Sequence, residues 1–544
     1  MKIALAQINC HIGNFESNTS KIIEAIGNAE KAGADLIVFP ELAICGYPPL
    51  DFLEFTHFTG KCLEAVQQIA AASGNMAVIV GAPSFNPVLK GKNLYNSAFV
   101  IENKQVTAVV HKTLLPTYDV FDEYRYFEPN RKFEIVTIRN KKIALTVCED
   151  LWNEEDDPLY VFSPMEELIR QQPEMIINIA ASPFDYNHDD KRKAILRRNV
   201  LKYNLPLVYV NHAGAQTDLI FDGGSLAYNA DGAIIQQLKY FEEDLQIVDF
   251  QHKDPSPIVP IQETGKIEKI HQALVLGIRD YFVKMGFSKA ILGLSGGVDS
   301  ALVLVLAAEA LGAENVVPVM MPSHFSTDHS VSDSEVLAAN LGINPLNIPI
   351  TGIYDSFIAA TAPSFAGKPF SVAEENIQAR SRGTLLMALS NKHGYILLNT
   401  SNKSELAVGY GTLYGDMCGG LSVIGDLYKT EIYALCRHIN HEKEIIPDNI
   451  LTKAPSAELR PGQKDSDSLP DYGILDQILF QYIECHHGPD QIIDAGFDEK
   501  LVQRILKMVN INEYKRFQFA PVLRVSPKAF GRGRRMPLVA RYLS

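Results

Sequence analysis

The 544-residue chain reads as two α/β domains in series, an α/β sandwich followed by a doubly wound parallel sheet. Three observations predict this. Short apolar runs alternate with longer helical patterns in two separate stretches. Between them lies QHKDPSPIVPIQE, from Gln251 to Glu263, with three prolines and no periodicity. The length also exceeds what one ordinary core fills, at roughly 150 residues per domain. The expected bounds are 1–250 for the first domain, 251–264 for a linker and 265–544 for the second.

In the first stretch KIALAQIN, ADLIVFP, MAVIVGAP, SAFVIEN, KIALTVCED, MIINIAAS and LPLVYVNHAG read as strands. Helical patterns such as Asn18 to Lys31 and Asp190 to Asn204 separate several of them. Near-continuous apolar strands with helices on their faces make a sandwich. After the linker come an amphipathic helix, Ile267 to Met285, and the strand KAILGLS. The pattern continues with helix 300–311, strand 315–321, helix 327–341, strand Leu346–Ile350, a longer helix Val372 to Lys392 and the strand YILLNTS. That βαβα rhythm predicts the parallel sheet.

Composition excludes several classes. Charged residues make up 21% and hydrophobic ones 47%, which suits a packed chain rather than a disordered one. A formal charge of −14 argues against general binding to nucleic acid or anionic membranes. The N-terminus MKIALAQINCHIGN enters an apolar strand without a signal-peptide core, and the most apolar run, Ala301 to Ala313, carries Glu309 and is too short to span a bilayer. Cys10, Cys45, Cys62, Cys148, Cys418, Cys436 and Cys485 are scattered and form no CxxC. The expectation is a cytoplasmic enzyme with reduced thiols. Cys485-His486-His487 has no further ligands nearby in sequence and reads as a helix end.

Three first-half segments each end a strand in a reactive side chain: VFPELAICGYPP with Glu41, VVHKTLLPTYDVFDEYRYF with Lys112, and IALTVCEDLW with Cys148. Side chains at strand ends can converge on one pocket. A thiol becomes a strong nucleophile when a base takes its proton, a role open to Glu41, while Lys112 can stabilise the oxyanion formed on an amide carbonyl. Taken singly, a cysteine ending an apolar strand is more often a small core residue. Together, FPEL, HKxxLP and CED resemble the nitrilase (carbon–nitrogen hydrolase) superfamily over roughly residues 1–250. The resemblance implies an α/β/β/α sandwich, with Glu41 as general base, Lys112 as electrostatic stabiliser and Cys148 as nucleophile. It also places Tyr118, Ser182 and His188 where glutaminase members hold L-glutamine. The usual continuation is SPFxxGK, whereas this chain reads SPFDYNH, with His188 where lysine or arginine is common.

In the second half SGGVDSAL follows the strand KAILGL and opens a helix. Ser295, Gly296 and Gly297 let the backbone wrap an anion at a helix N-terminus. Asp299 is suited to holding Mg²⁺ against a phosphate rather than touching the phosphate itself. No GxxxxGK[ST] is present. Thr400 ends the strand YILLNTS, and Glu405 offers a second carboxylate for the metal. The full SGGVDS resembles the signature loop of the ATP pyrophosphatases, which implies that Gly293, Leu294, Ser295, Gly296, Gly297, Val298, Asp299, Ser300 and Thr400 bind ATP. With EENIQAR, NTSNKSE and GDM–GDLYKT it resembles the NAD synthetases over roughly 265–544. This implies that Asn376, Glu405 and Lys515 meet deamido-NAD, with Asp299 and Glu405 on Mg²⁺. The tail EYKRFQFAPVLRVSPKAFGRGRR is a basic cluster in an acidic chain, suited to a pyrophosphate-bearing substrate.

A glutaminase-like half joined to a synthetase half resembles the glutamine-dependent NAD synthetases. That implies deamido-NAD, ATP and L-glutamine as substrates, an ammonia tunnel, a homo-oligomer, and no nucleic-acid or membrane partner. Another ATP-dependent amidotransferase, or a scaffold that only senses nucleotides, are the rival readings.

Overall fold

The computed structural model describes residues 1–154, 158–250 and 264–543. The chain forms two compact units, Met1–Glu263 and Thr264–Ser544. The expected linker lies, but for residue 264, outside the described residues.

The strands of the first unit are β1 (Lys2–Gln7), β2 (Leu36–Val38), β3 (Ala77–Phe85), β4 (Leu94–Glu102), β5 (Gln105–His111), β6 (Val136–Ile138) and β7 (Lys141–Val147), followed by β8 (Met175–Ile179), β9 (Leu207–Val210), β10 (Ala213–Gln216), β11 (Leu219–Asp222), β12 (Leu226–Tyr228), β13 (Ile234–Gln237) and β14 (Asp244–Asp249). One sheet runs β14-β1-β2-β3-β4-β5 and a second runs β13-β12-β9-β8-β7-β6. Strands β1 to β3 are parallel to one another, as are β7 to β9. Successive strand residues point to opposite faces. Ile3, Leu5, Leu36, Val38, Ala77 and Ile79 of the first sheet therefore pack with Ile143, Leu145, Val147, Ile177 and Ile179 of the second. Their neighbours Ala4, Ala6, Ile37, Val78 and Val80 turn outward, onto helices Phe15–Lys31 and Thr56–Ala72.

The first of these helices starts where Asn14 accepts a hydrogen bond from the Ser17 N–H at 3.2 Å, an N-cap. It buries Ile22, Ile26 and Ala29 at helical spacing. On the other face, helix His188–Tyr203 buries Ile195, Leu196 and Val200. The result is the four-layer α/β/β/α sandwich.

In the second unit β15 (Ala290–Gly293), β16 (Val316–Met320), β17 (Leu346–Asn347), β18 (Ile396–Asn399) and β19 (Leu421–Ser422) form a sheet ordered β17-β16-β15-β18-β19. Every pairing in it is parallel. Chain order reverses between β15 and β18, which opens a crevice at their C-terminal ends. Helix Val298–Leu311 is buried along Ala301–Ala307, so the most apolar run of the sequence is a core helix. A helical cluster around Leu475, Ile478, Val502 and Ile505 completes the unit. Among the described residues no helix is long and apolar enough to cross a membrane, and no disulfide forms.

Candidate functional site

Glu41 follows β2, Lys112 follows β5 and Cys148 follows β7, so the segments come from both sheets. Glu41 and Lys112 are essentially without solvent exposure, at 0% and 1%. Lys112 Nζ donates to Glu41 Oε1 at 2.8 Å and to Glu123 Oε1 at 2.7 Å. Asn96 Nδ2 donates to the same Glu41 oxygen at 2.6 Å, and the Ala181 N–H donates to Oε2 at 2.9 Å. Tyr47 donates its hydroxyl to Glu123 at 2.8 Å. Burial raises the Glu123 carboxyl to about 7, against the pull of Lys112 and with the push of Glu41. Lys112, charge-paired twice, is held firmly as the ammonium.

Cys148 sits at φ +46° at the tip of β7, a left-handed conformation uncommon outside glycine and asparagine. A short 3₁₀ turn, Cys148–Leu151, follows it. Burial and the Glu41 charge push the thiol well above its ordinary range, while Lys112 draws it down. The thiol thus feels both the Glu41 carboxylate and the Lys112 ammonium. Next to it, Glu149 accepts from Tyr118 at 2.8 Å and from Tyr160 at 3.1 Å. Ser182 Oγ and His188 Nε2 lie 2.7 Å apart, with His188 stacked on Trp152 at a centroid distance of 4.9 Å. Tyr118 is thus bonded to the residue after Cys148, and Ser182 follows the amide that holds Glu41.

The second constellation surrounds a cavity of about 320 Å³ at the β15/β18 crevice. Gly293, Leu294, Ser295, Gly297, Val298, Asp299, Ser300, Thr400 and Glu405 all line it. Gly296 does not, but its role is legible: φ is +79°, and a Cβ there would lie 2.3 Å from the Ser330 carbonyl oxygen. Ser300 Oγ donates to the Gly297 carbonyl at 3.0 Å and stands 3.1 Å from Ser295 Oγ, which closes the loop on itself. Lys429 Nζ pairs with Asp299 and stands 3.6 Å from Glu405. Burial and the Asp299 charge raise Glu405 to about 8, although Lys429 opposes this. These two carboxyl groups are hard oxygen donors of the kind Mg²⁺ takes.

Asn376 and Lys515 are outside the cavity lining and converge on the loop 409–412 instead. Asn376 Oδ1 accepts from Thr412 at 2.7 Å, and Lys515 Nζ donates to the Gly409 and Gly411 carbonyls at 2.7 and 2.9 Å. The basic tail is only partly a surface cluster. Arg516 and Arg524 are buried, and Arg516 donates to the Leu406 and Ala407 carbonyls near the end of helix Lys403–Val408. Sequence reasoning missed Glu123, Asn96 and the cavity residues Lys453 and Asp416 as individual groups. Glu123 stands in a run with Asp119 and Asp122, which gave no means of choosing among the three. Cys485 lies just past helix Tyr472–Ile483, and no group of three metal-binding side chains occurs among the described residues.

A carbon–nitrogen hydrolase model matches residues 2–256 and an NAD synthase model matches 270–519, so the chain joins two enzyme classes. It is 48% identical over 549 residues to a glutamine-dependent NAD(+) synthetase of Synechocystis, covering 98% of each chain. Identity to the Thermotoga maritima counterpart is 41% over 579 residues, covering 100% of this chain and 99% of that one. The structure of the glutamine-dependent NAD+ synthetase from Acinetobacter baumannii, in complex with ADP, superposes with a TM-score of 0.79 at 39% identity, covering 99% of this chain and 98% of that one. The chain belongs to the glutamine-dependent NAD(+) synthetases.

Proposed function

We propose that the chain converts deamido-NAD, ATP and L-glutamine into NAD, AMP, pyrophosphate and glutamate, with the labour divided between its two units. The observation that carries this reading is Cys148 on its left-handed turn beside the buried Glu41–Lys112 pair.

In the first unit Glu41 takes the Cys148 proton as the sulfur attacks the glutamine carboxamide. The Lys112 ammonium stabilises the oxyanion. Collapse to the thioester expels ammonia, which leaves with the proton from Glu41, and water then releases glutamate. Tyr118, Ser182 and His188 orient the amino-acid end of the substrate. In the second unit the Ser295–Ser300 loop cradles ATP phosphates. The nicotinate carboxylate of deamido-NAD attacks the α-phosphorus, pyrophosphate leaves, and ammonia then displaces AMP. Asp299 and Glu405 would hold Mg²⁺, which offsets the charge of the phosphates when bound. Asn376 and Lys515 act on deamido-NAD through the loop 409–412. Ammonium is not a nucleophile, so ammonia is passed internally rather than through water. In this reading the chain works as a homo-oligomer in a reducing, cytoplasmic setting, where a thiol nucleophile persists.

Product analysis tests the reaction. With deamido-NAD, ATP and glutamine the purified chain should form NAD, AMP and glutamate in equal amounts. Glutamate and AMP appearing only with a different carboxylate would favour another amidotransferase.

A further inference from the structure

Asp150, two residues after Cys148, is a buried carboxylate at 3% exposure that the proposed mechanism does not use. Its Oδ1 accepts the N–H groups of Thr113 and Leu114 at 2.9 and 2.8 Å, and its Oδ2 accepts the Val147 N–H at 3.1 Å. Thr113 and Leu114 continue directly from Lys112, beyond β5 of the first sheet. Val147 ends β7 of the second sheet and precedes Cys148. One side chain therefore ties the lysine loop to the cysteine turn across the stacked sheets. Apolar packing between sheets is non-directional, whereas three charge-assisted hydrogen bonds to two loops fix distance and angle. A residue that merely capped the 3₁₀ turn would need only the Val147 bond.

We infer that Asp150 is a positioning residue that sets the Cys148 sulfur against Lys112 for attack on glutamine. This rests on Cys148 being the nucleophile. A misplacement near 1 Å costs about 10²-fold in rate, and Asn at this position would force one. An amide can accept on one side only, so its NH₂ must face either the Val147 N–H or the Thr113 and Leu114 N–H pair.

The test is D150N in the full chain, with D150A as a second variant. Three quantities are measured: glutamine-dependent NAD formation, ammonia-dependent NAD formation, and the rate at which iodoacetamide alkylates Cys148. The expected result for D150N is a kcat with glutamine lowered about 10²-fold. The KM for glutamine should stay within about twofold, the ammonia-dependent rate should be unchanged, and Cys148 alkylation should slow at least tenfold. D150A should show the same pattern. The inference is overturned if D150N keeps kcat and alkylation rate within about threefold of wild type. It is equally overturned if both nitrogen donors fail together with a lowered unfolding temperature, since that marks a general fold role. Failure of the nucleophile reading is separate: wild-type Cys148 would then prove dispensable for glutamine use.

Discussion

Lys112 and Glu123 form an ion pair 2.7 Å long inside the first unit, and Glu41 shares the same ammonium at 2.8 Å. Two buried carboxylates therefore share one cation. Removing that cation should be severe. Lys112→Met would leave Glu41 and Glu123 without a counter-charge, at a cost of about 3–5 kcal/mol. Urea unfolding of the variant should show a first transition shifted to lower denaturant, with no glutamine hydrolysis. A variant as stable as wild type would mean that the pair is held by something else.

Glu123 itself sets a pH dependence. Its carboxyl is raised from an ordinary 4.5 to about 7, mainly by burial. The folded chain then keeps a proton that the unfolded chain releases between those values, so stability is lost as pH rises through that window. Glu123→Gln cannot ionise and should flatten the slope. Urea midpoints at pH 5 and pH 7.5 should fall less for the variant than for wild type. Identical slopes would place the titration elsewhere.

Gly296 carries the Ser295–Ser300 loop at φ +79°, where a Cβ would strike the Ser330 carbonyl. Gly296→Ala should strain the loop by about 1–3 kcal/mol. NAD formation should drop at least tenfold with either nitrogen donor, while glutamine hydrolysis in the first unit continues. Assaying glutamate release beside NAD formation separates the two outcomes, and equal loss of both would argue against separate labour.

The sequence made the two-unit architecture and both constellations legible because strand ends and loop motifs are local. The parallel pairing of the second sheet follows from the βαβα rhythm, whereas its order β17-β16-β15-β18-β19 and the two-residue strand β19 do not. What escaped had no local period. Helix Thr351–Phe365 carries Gly352 and Pro363, which weaken a helical reading, and it buries only Tyr354. The antiparallel pair β10 and β11 is four residues a strand, too short to alternate visibly. The expected strand Leu346–Ile350 pairs only through Leu346 and Asn347 before turning into that helix. Asp150 and Asn96 act through partners far away in sequence, which one-dimensional spacing does not carry.

His188 stands 2.7 Å from Ser182 Oγ and stacks on the Trp152 ring. Its contribution should therefore be to glutamine binding and not to bond making. His188→Ala is expected to raise the KM for glutamine about tenfold with kcat nearly unchanged, since uniform binding is lost. Steady-state kinetics with glutamine and with ammonia check this. An equal fall in kcat would give His188 a part in the chemistry.

Cys148→Ala, assayed for NAD formation with each nitrogen donor in turn, separates the two reactions. The thiol belongs to the first unit and the cavity lined by Ser295, Asp299 and Glu405 to the second. Glutamine-dependent synthesis should vanish while synthesis from ammonia continues at the wild-type rate. Unchanged synthesis from glutamine, or loss of both activities in a folded protein, would contradict the account.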